Sequence, residues 1–194
     1  MDNMLEERLA KIEQKITDKA FLENKGLGNE VGYYIFDYPA QSELIVRDYV
    51  SMLQNKYNGS DGSLKIVVFD LYEIVLDILK QKNYLEKCFE FEKTKGTDYT
   101  FDAIIKMLRL TTKSNLIVNY ILQNTPTEHA VVFITGVGKC FPLVRSHNVL
   151  NNLHQVLDGV PVVMFFPGKY SGQDLRLFGT IKDDNYYRAF KLVE

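Results

Sequence analysis

Apolar residues recur along this chain in two rhythms. Between residues 3 and 22, Leu5, Leu9, Ile12 and Ile16 fall three or four apart with Glu, Lys and Arg between them, which predicts an amphipathic helix with one buried side. Asn24-Lys25-Gly26 and then Gly28 supply its stop. Residues 31–36 form an apolar, aromatic strand closed by Asp37-Tyr38-Pro39. Pro39 suits the start of a helix that carries Val46, Tyr49, Val50 and Leu53 to about residue 57. Residues 58–63, rich in Gly, Ser and Asp, read as a loop. Residues 64–70 are nearly continuously apolar, as suits a strand buried on both faces of a parallel sheet. Asp70 with Glu73 three residues on resembles a capping box, opening a helix with Leu71, Ile74, Val75, Ile78 and Leu79 on one face.

Residues 83–99 fit a helix and irregular structure equally, since Phe89 and Phe91 alternate with Glu90 and Glu92. Helical spacing then runs over 99–122, so the helical material between the second and third strands exceeds one plain crossover. Residues 130–134 and 161–166 are the third and fourth strands, separated by a helix over 144–157 that holds Leu150, Leu153 and Leu157. Pro167-Gly168 turns the chain, and 175–178 and 186–192 are short edge strands. Alternating strands and helices imply right-handed crossovers in a mainly parallel sheet. The expected fold is a single α/β domain over residues 1–194. It is a three-layer, P-loop/Rossmann-like sandwich with a helical insertion at about 83–123. Ligands and partners of such folds use the rim beyond the carboxyl ends of the strands.

Composition narrows the function classes. The chain has 194 residues and a net charge of -2, so no general basic field draws in nucleic acid. Cys88 and Cys140, the two cysteines, cannot form a disulfide framework and read as buried free thiols. The N-terminal segment lacks the basic start and apolar run of a signal peptide, and no stretch is apolar enough to span a bilayer. The expectation is a cytoplasmic protein without membrane contact.

Several segments approach chemistry without completing it. Thr135-Gly136-Val137-Gly138-Lys139-Cys140 follows a buried strand, as a phosphate-cradling loop does. A working P-loop needs a Gly four residues before its Gly-Lys pair and a hydroxyl after it. Phe133 and Cys140 stand there instead, and Pro142 delays the helix. The segment fits a tight turn with Lys139 exposed, or a loop that binds an anion or partner. Asp37 and Asp70 both end strands. They could share Mg²⁺ or a proton at neighbouring strand ends, or each could cap the helix that follows. Capping is favoured, because no third partner is evident. His147, Asn151 and His154 share one side of the 144–157 helix, but the i, i+4 position of a zinc pair is Asn, so no metal site is expected. Arg145, Ser146 and Asn148 add polar reach nearby. Lys169 and Arg176 flank a glycine-bearing loop and could meet phosphate or carboxylate. The Glu23-Asn24-Lys25 spacing of a nuclease element falls at a helix end, not on a strand.

Three segments together resemble one family. They are Phe21 through Glu30 running into Tyr34-Ile35-Phe36-Asp37-Tyr38-Pro39, Thr135 through Asn148, and Val163 to Gly168 continuing through Leu175-Arg176-Leu177-Phe178-Gly179 to Phe190. The chain resembles the BrxB family of bacteriophage exclusion (BREX) systems over nearly its whole length. The resemblance implies a core component of a bacterial antiviral defence island that marks host DNA by methylation and restricts phage. It implies assembly with other BREX proteins, the alkaline-phosphatase-like PglZ first among them. It brings no catalytic residues. The expected role is a non-enzymatic adaptor without cofactor or metal. Its partner- or anion-binding rim would comprise Gly136, Gly138, Lys139, Arg145, His147, Asn148, Lys169 and Arg176. The alternative is a degenerate P-loop-like domain that binds nucleotide or nucleic acid. A metal-dependent hydrolase at Asp37 and Asp70 ranks third.

Overall fold

A computed structural model describes residues 3–23, 32–59, 64–112, 114–183 and 188–194. Helices α1 (Asn3–Ile16) and α2 (Lys19–Leu22) precede strand β1 (Tyr33–Tyr38). A 3-10 turn at Ala40–Ser42 enters α3 (Glu43–Asn58), followed by β2 (Lys65–Asp70). Four helices come next: α4 (Leu71–Gln81), α5 (Leu85–Lys95), α6 (Thr97–Leu108) and α7 (Leu116–Gln123). Then come β3 (Ala130–Thr135), α8 (Val137–Cys140), α9 (Ser146–Leu153), β4 (Val162–Tyr170), β5 (Leu175–Leu177), β6 (Ile181–Asp183) and β7 (Phe190–Lys191).

The main sheet runs β2-β3-β4-β1-β7, and every neighbouring pair in that row is parallel. The far half of β4 continues beyond this sheet into an antiparallel meander with β5 and β6. Alternate side chains of the buried strands feed two cores, because successive residues point to opposite faces. On one face Phe36, Ile66, Val131, Phe133, Val163 and Phe165 meet Leu5, Leu9 and Ile12 of α1 and Val46, Val50 and Leu53 of α3. On the other, Ile35, Val132, Ile134, Val162 and Met164 meet α4, α7 and α9 through Ile74, Ile78, Ile121 and Leu150. The architecture is therefore α/β in three layers around a mostly parallel sheet, as the alternation of elements implied. Each fully buried Phe or Leu contributes roughly 1.5–3 kcal/mol to that arrangement.

Local structure departs from the sequence reading at identifiable places. The first helix breaks after Ile16, and Asp18 caps a new turn by accepting from the Phe21 amide at 3.1 Å. Residues 85–95 are helical, and Phe91 sits edge-on between Tyr84 and Tyr99. The helix expected over 99–122 is two helices. Arg109 turns left-handed at φ 54, and buried Asn115 caps α7 through the Ile117 and Val118 amides. The helix expected over 144–157 is confined to Ser146–Leu153. Pro167-Gly168 does not turn the chain. β4 runs straight through it, and Gly168 pairs with Leu177. Strand β6 was not anticipated. The glycine stop at 24–28, Val31, most of the 58–63 loop and residues 184–187 lie outside the described residues. Among the described residues, no helix is long and apolar enough to cross a membrane.

Candidate functional site

The chain order of the strands locates the rim of interest. β2, β3 and β4 step across the sheet in sequence, and β4 then lies against β1. The crossover from β1 uses α3 on one face, and the crossover from β3 uses α9 on the other. The β1–β4 seam is thus the switch point of the sheet, where a crevice opens beyond the carboxyl ends of the strands. A cleft of about 320 Å³ at Tyr33 and His154 lies at the opposite, amino end. The switch-point cleft, about 300 Å³, is lined by Arg8, Asp37 to Gln41, Gly168, Lys169, Phe178 and Gly179.

Asp37 is fully engaged there. Arg8 donates from one guanidinium nitrogen to the Asp37 carbonyl at 2.8 Å and from another to Asp37 Oδ1 at 2.7 Å. Asp37 Oδ2 accepts from the Tyr170 amide at 2.9 Å. The same guanidinium lies over the Phe36 ring, 4.8 Å from its centroid. This pair is part-buried and charge-assisted on both sides, the stronger class of such contacts. It fastens α1 to the ends of β1 and β4.

Asp70 is engaged separately. Its Oδ1 accepts from the Tyr72 and Glu73 amides at 3.0 and 3.3 Å, capping α4. Its Oδ2 lies 2.5 Å from the Lys139 ammonium, which also stands 4.0 Å from Glu73 and over the Tyr72 ring. Capping is thus the observed role of Asp70. Asp37 and Asp70 are not at neighbouring strand ends: β3 and β4 separate them. Three interstrand steps of roughly 4.8 Å put about 14 Å between them. That is too far to share one ion or proton. Among the described residues no group of three His, Cys, Asp or Glu could hold a metal.

The segment after β3 forms a helical turn, not an open cradle. Gly136 adopts φ +73, and a Cβ on it would overlap the Asp70 carboxylate. Gly138 packs against Pro167 and Phe178, where a Cβ would stand 3.2 and 3.1 Å away. Cys140 is buried, and burial followed by the Asp70 charge pushes its thiol up to about 12. It therefore remains protonated and unreactive near neutral pH.

The remaining expected residues are spread along the rim. Arg145 is exposed and, with Phe141, Val144, Phe166 and Leu177, lines a smaller pocket of about 160 Å³. His147 and Asn148 are half-buried in the first turn of α9, and the Asn148 carbonyl accepts from Asn152 at 2.7 Å. Lys169 and Arg176 face each other across the β4–β5 ladder, and Arg176 faces Lys182 across β5–β6. All three are exposed. Gly136, Gly138 and Lys139 thus belong to an internally bonded corner beside Asp70, whereas Lys169 and Arg176 belong to the meander. Tyr170 stands on the rim at the end of β4, where the sequence placed it, whereas Arg8, Phe178 and Lys182 were not read from the sequence as rim residues. The alternation of Leu175-Arg176-Leu177 with Ile181-Lys182 was the signal available for the last of these.

Comparison with known proteins gives a consistent result. A family model described as "BREX protein BrxB" matches residues 67–192. A protein named BREX protein BrxB from Bacillus cereus (strain H3081.97) is 53% identical over 190 residues, covering 98% of each chain. One of the same name from Escherichia coli O9:H4 (strain HS) is 34% identical over 194 residues, covering 100% of this chain and 94% of its own. No solved structure matches.

Proposed function

This chain belongs to the BrxB family of BREX proteins, and we propose that within the phage-defence system it acts as a non-enzymatic core adaptor that assembles with other BREX proteins, PglZ foremost. What supports the adaptor role is the bonding of the rim. Both strand-end aspartates are taken up internally, Asp37 by Arg8 and Tyr170 and Asp70 by the α4 amides and Lys139. The side chains that project outward are Arg145, Lys169 and Arg176, together with exposed Phe178 and Ile181. Exposed cationic and apolar groups on strands and on the connections beside them suit recognition of another surface.

Reading the rim as a nucleotide site is less well supported, because the residue that motivated it, Lys139, has its ammonium on Asp70. Co-purification of the chain with each other BREX protein of its operon tests the proposal. The expected result is a stable complex, first with PglZ. A chain that remains solitary in every pairing defeats it.

A further inference from the structure

Antiparallel pairing at the end of β4 lines up three cations. Lys169 is opposite Arg176, and Arg176 is opposite Lys182. Residues directly opposite on adjacent strands share a face, with Cβ atoms about 5 Å apart, and like charges in such pairs are destabilising. The flanking Leu175 and Leu177 are buried on the other face, so all three cations stand on the outer face. The Lys169–Arg176 pairing therefore sets like charges side by side, an arrangement that folding does not require. Glu or Thr at position 176 would pair as well or better.

The row also has a neighbour. Lys169 lines the switch-point cleft, whose walls include Pro39, Ala40 and Phe178, with Phe178 exposed by 44%. A short cationic row and an apolar cleft thus share one surface.

We propose that this surface receives an acidic segment of a partner protein, with carboxylates along Lys169, Arg176 and Lys182 and one apolar side chain in the cleft. The assignment rests on the adaptor reading and specifies the chemistry of its partner. Charge complementarity selects an anion. The extent of the row selects a protein segment over nucleic acid. Three cations across two interstrand steps span about 10 Å, a small footprint beside the six to ten phosphate contacts typical of duplex binders. The net charge of -2 also offers a long polyanion no general attraction.

The test uses Arg176→Glu in the full chain, with Lys11→Glu on the exposed side of α1 as a control of equal charge change. Arg176→Glu converts the row to alternating signs, so its thermal midpoint should equal or exceed that of the wild type. Binding is measured to each purified BREX protein of the operon, to a fluorescein-labelled peptide of Glu and Leu, and to fluorescein-labelled duplex DNA. The expected result is a partner whose affinity falls with salt and drops about tenfold or more in Arg176→Glu while Lys11→Glu leaves it intact. A partner held equally by Arg176→Glu overturns the surface and leaves the adaptor reading standing. If no BREX protein binds the wild type, the adaptor reading falls and the peptide decides. Arg176-dependent peptide binding upholds an acid-reading surface, and its absence overturns it. Arg176-dependent binding of DNA without peptide binding overturns the proposal in favour of nucleic acid.

Discussion

Arg8 and Asp37 are joined twice, through the aspartate's carbonyl and through its carboxylate. Their side chains retain only 22% and 16% of their exposure. A surface ion pair adds little to stability, but removing one partner of a part-buried, hydrogen-bonded pair strands the other. Arg8→Ala should therefore cost about 1–3 kcal/mol in urea unfolding. Arg8→Ala combined with Asp37→Ala should cost less than the sum of the single changes, which a double-mutant cycle would measure. Additive costs would mean that the two groups act independently.

Two glycines with positive φ allow a controlled comparison. Gly136 at φ +73 abuts the Asp70 carboxylate, whereas Gly172 at φ +94 has open space where a Cβ would go. A left-handed backbone costs a non-glycine residue roughly 1–2 kcal/mol by itself. Gly172→Ala should show about that cost. Gly136→Ala should show more, because the new methyl must also displace the cap of α4. Equal losses in thermal unfolding would argue against the steric part.

The buried Cys140 thiol predicts a pH dependence. Its folded value is raised to about 12 from an ordinary value of 9.0, so the folded state holds the proton more tightly than the unfolded chain. The stability from this group is fully present below pH 9 and is lost as pH rises toward 12. Burial raises the phenols of Tyr33 and Tyr38 in the same direction. Unfolding free energy should fall above pH 9, and Cys140→Ala should flatten the first part of that fall. At pH 8 the thiol should also resist iodoacetamide until the chain is unfolded by urea.

Phe133, Phe36 and Phe165 form a fully buried aromatic group, with Phe165 5.0 Å from Phe133 and 5.7 Å from Phe36 between ring centroids. Phe133→Ala should cost about 3–5 kcal/mol in urea unfolding. Phe133→Leu should cost distinctly less, because it leaves a smaller void.

What the sequence disclosed was local, and what it concealed depends on partners distant in the chain. The apolar run ending at Asp70 and the helix it caps could be read directly, because strand burial and capping leave their marks within a few residues. The separation of Asp37 from Asp70 could not, since it follows from strand order. Arg8 occupies the polar side of an amphipathic pattern and reads as solvent-facing until β1 arrives beside it. Pro167 looks like a turn because it lacks an amide donor. Its carbonyl nevertheless accepts from the Phe178 amide at 2.9 Å, and the strand continues. Of the expected rim, Lys169 and Arg176 could be named individually from the glycine-bearing loop. Their alignment with Lys182 exists only in the register of the meander.

The position of β1 also bears on how the protein is made. Its register pairs Tyr33 with Val162 on one side and Tyr34 with Phe190 on the other. During synthesis on the ribosome, this aromatic strand emerges early and waits for both neighbours until the polypeptide is nearly finished. Pairings so remote in sequence slow folding and leave sticky backbone edges uncovered. Production should therefore be sensitive to translation speed and to chaperone supply, with nascent chains truncated before β4 prone to aggregate.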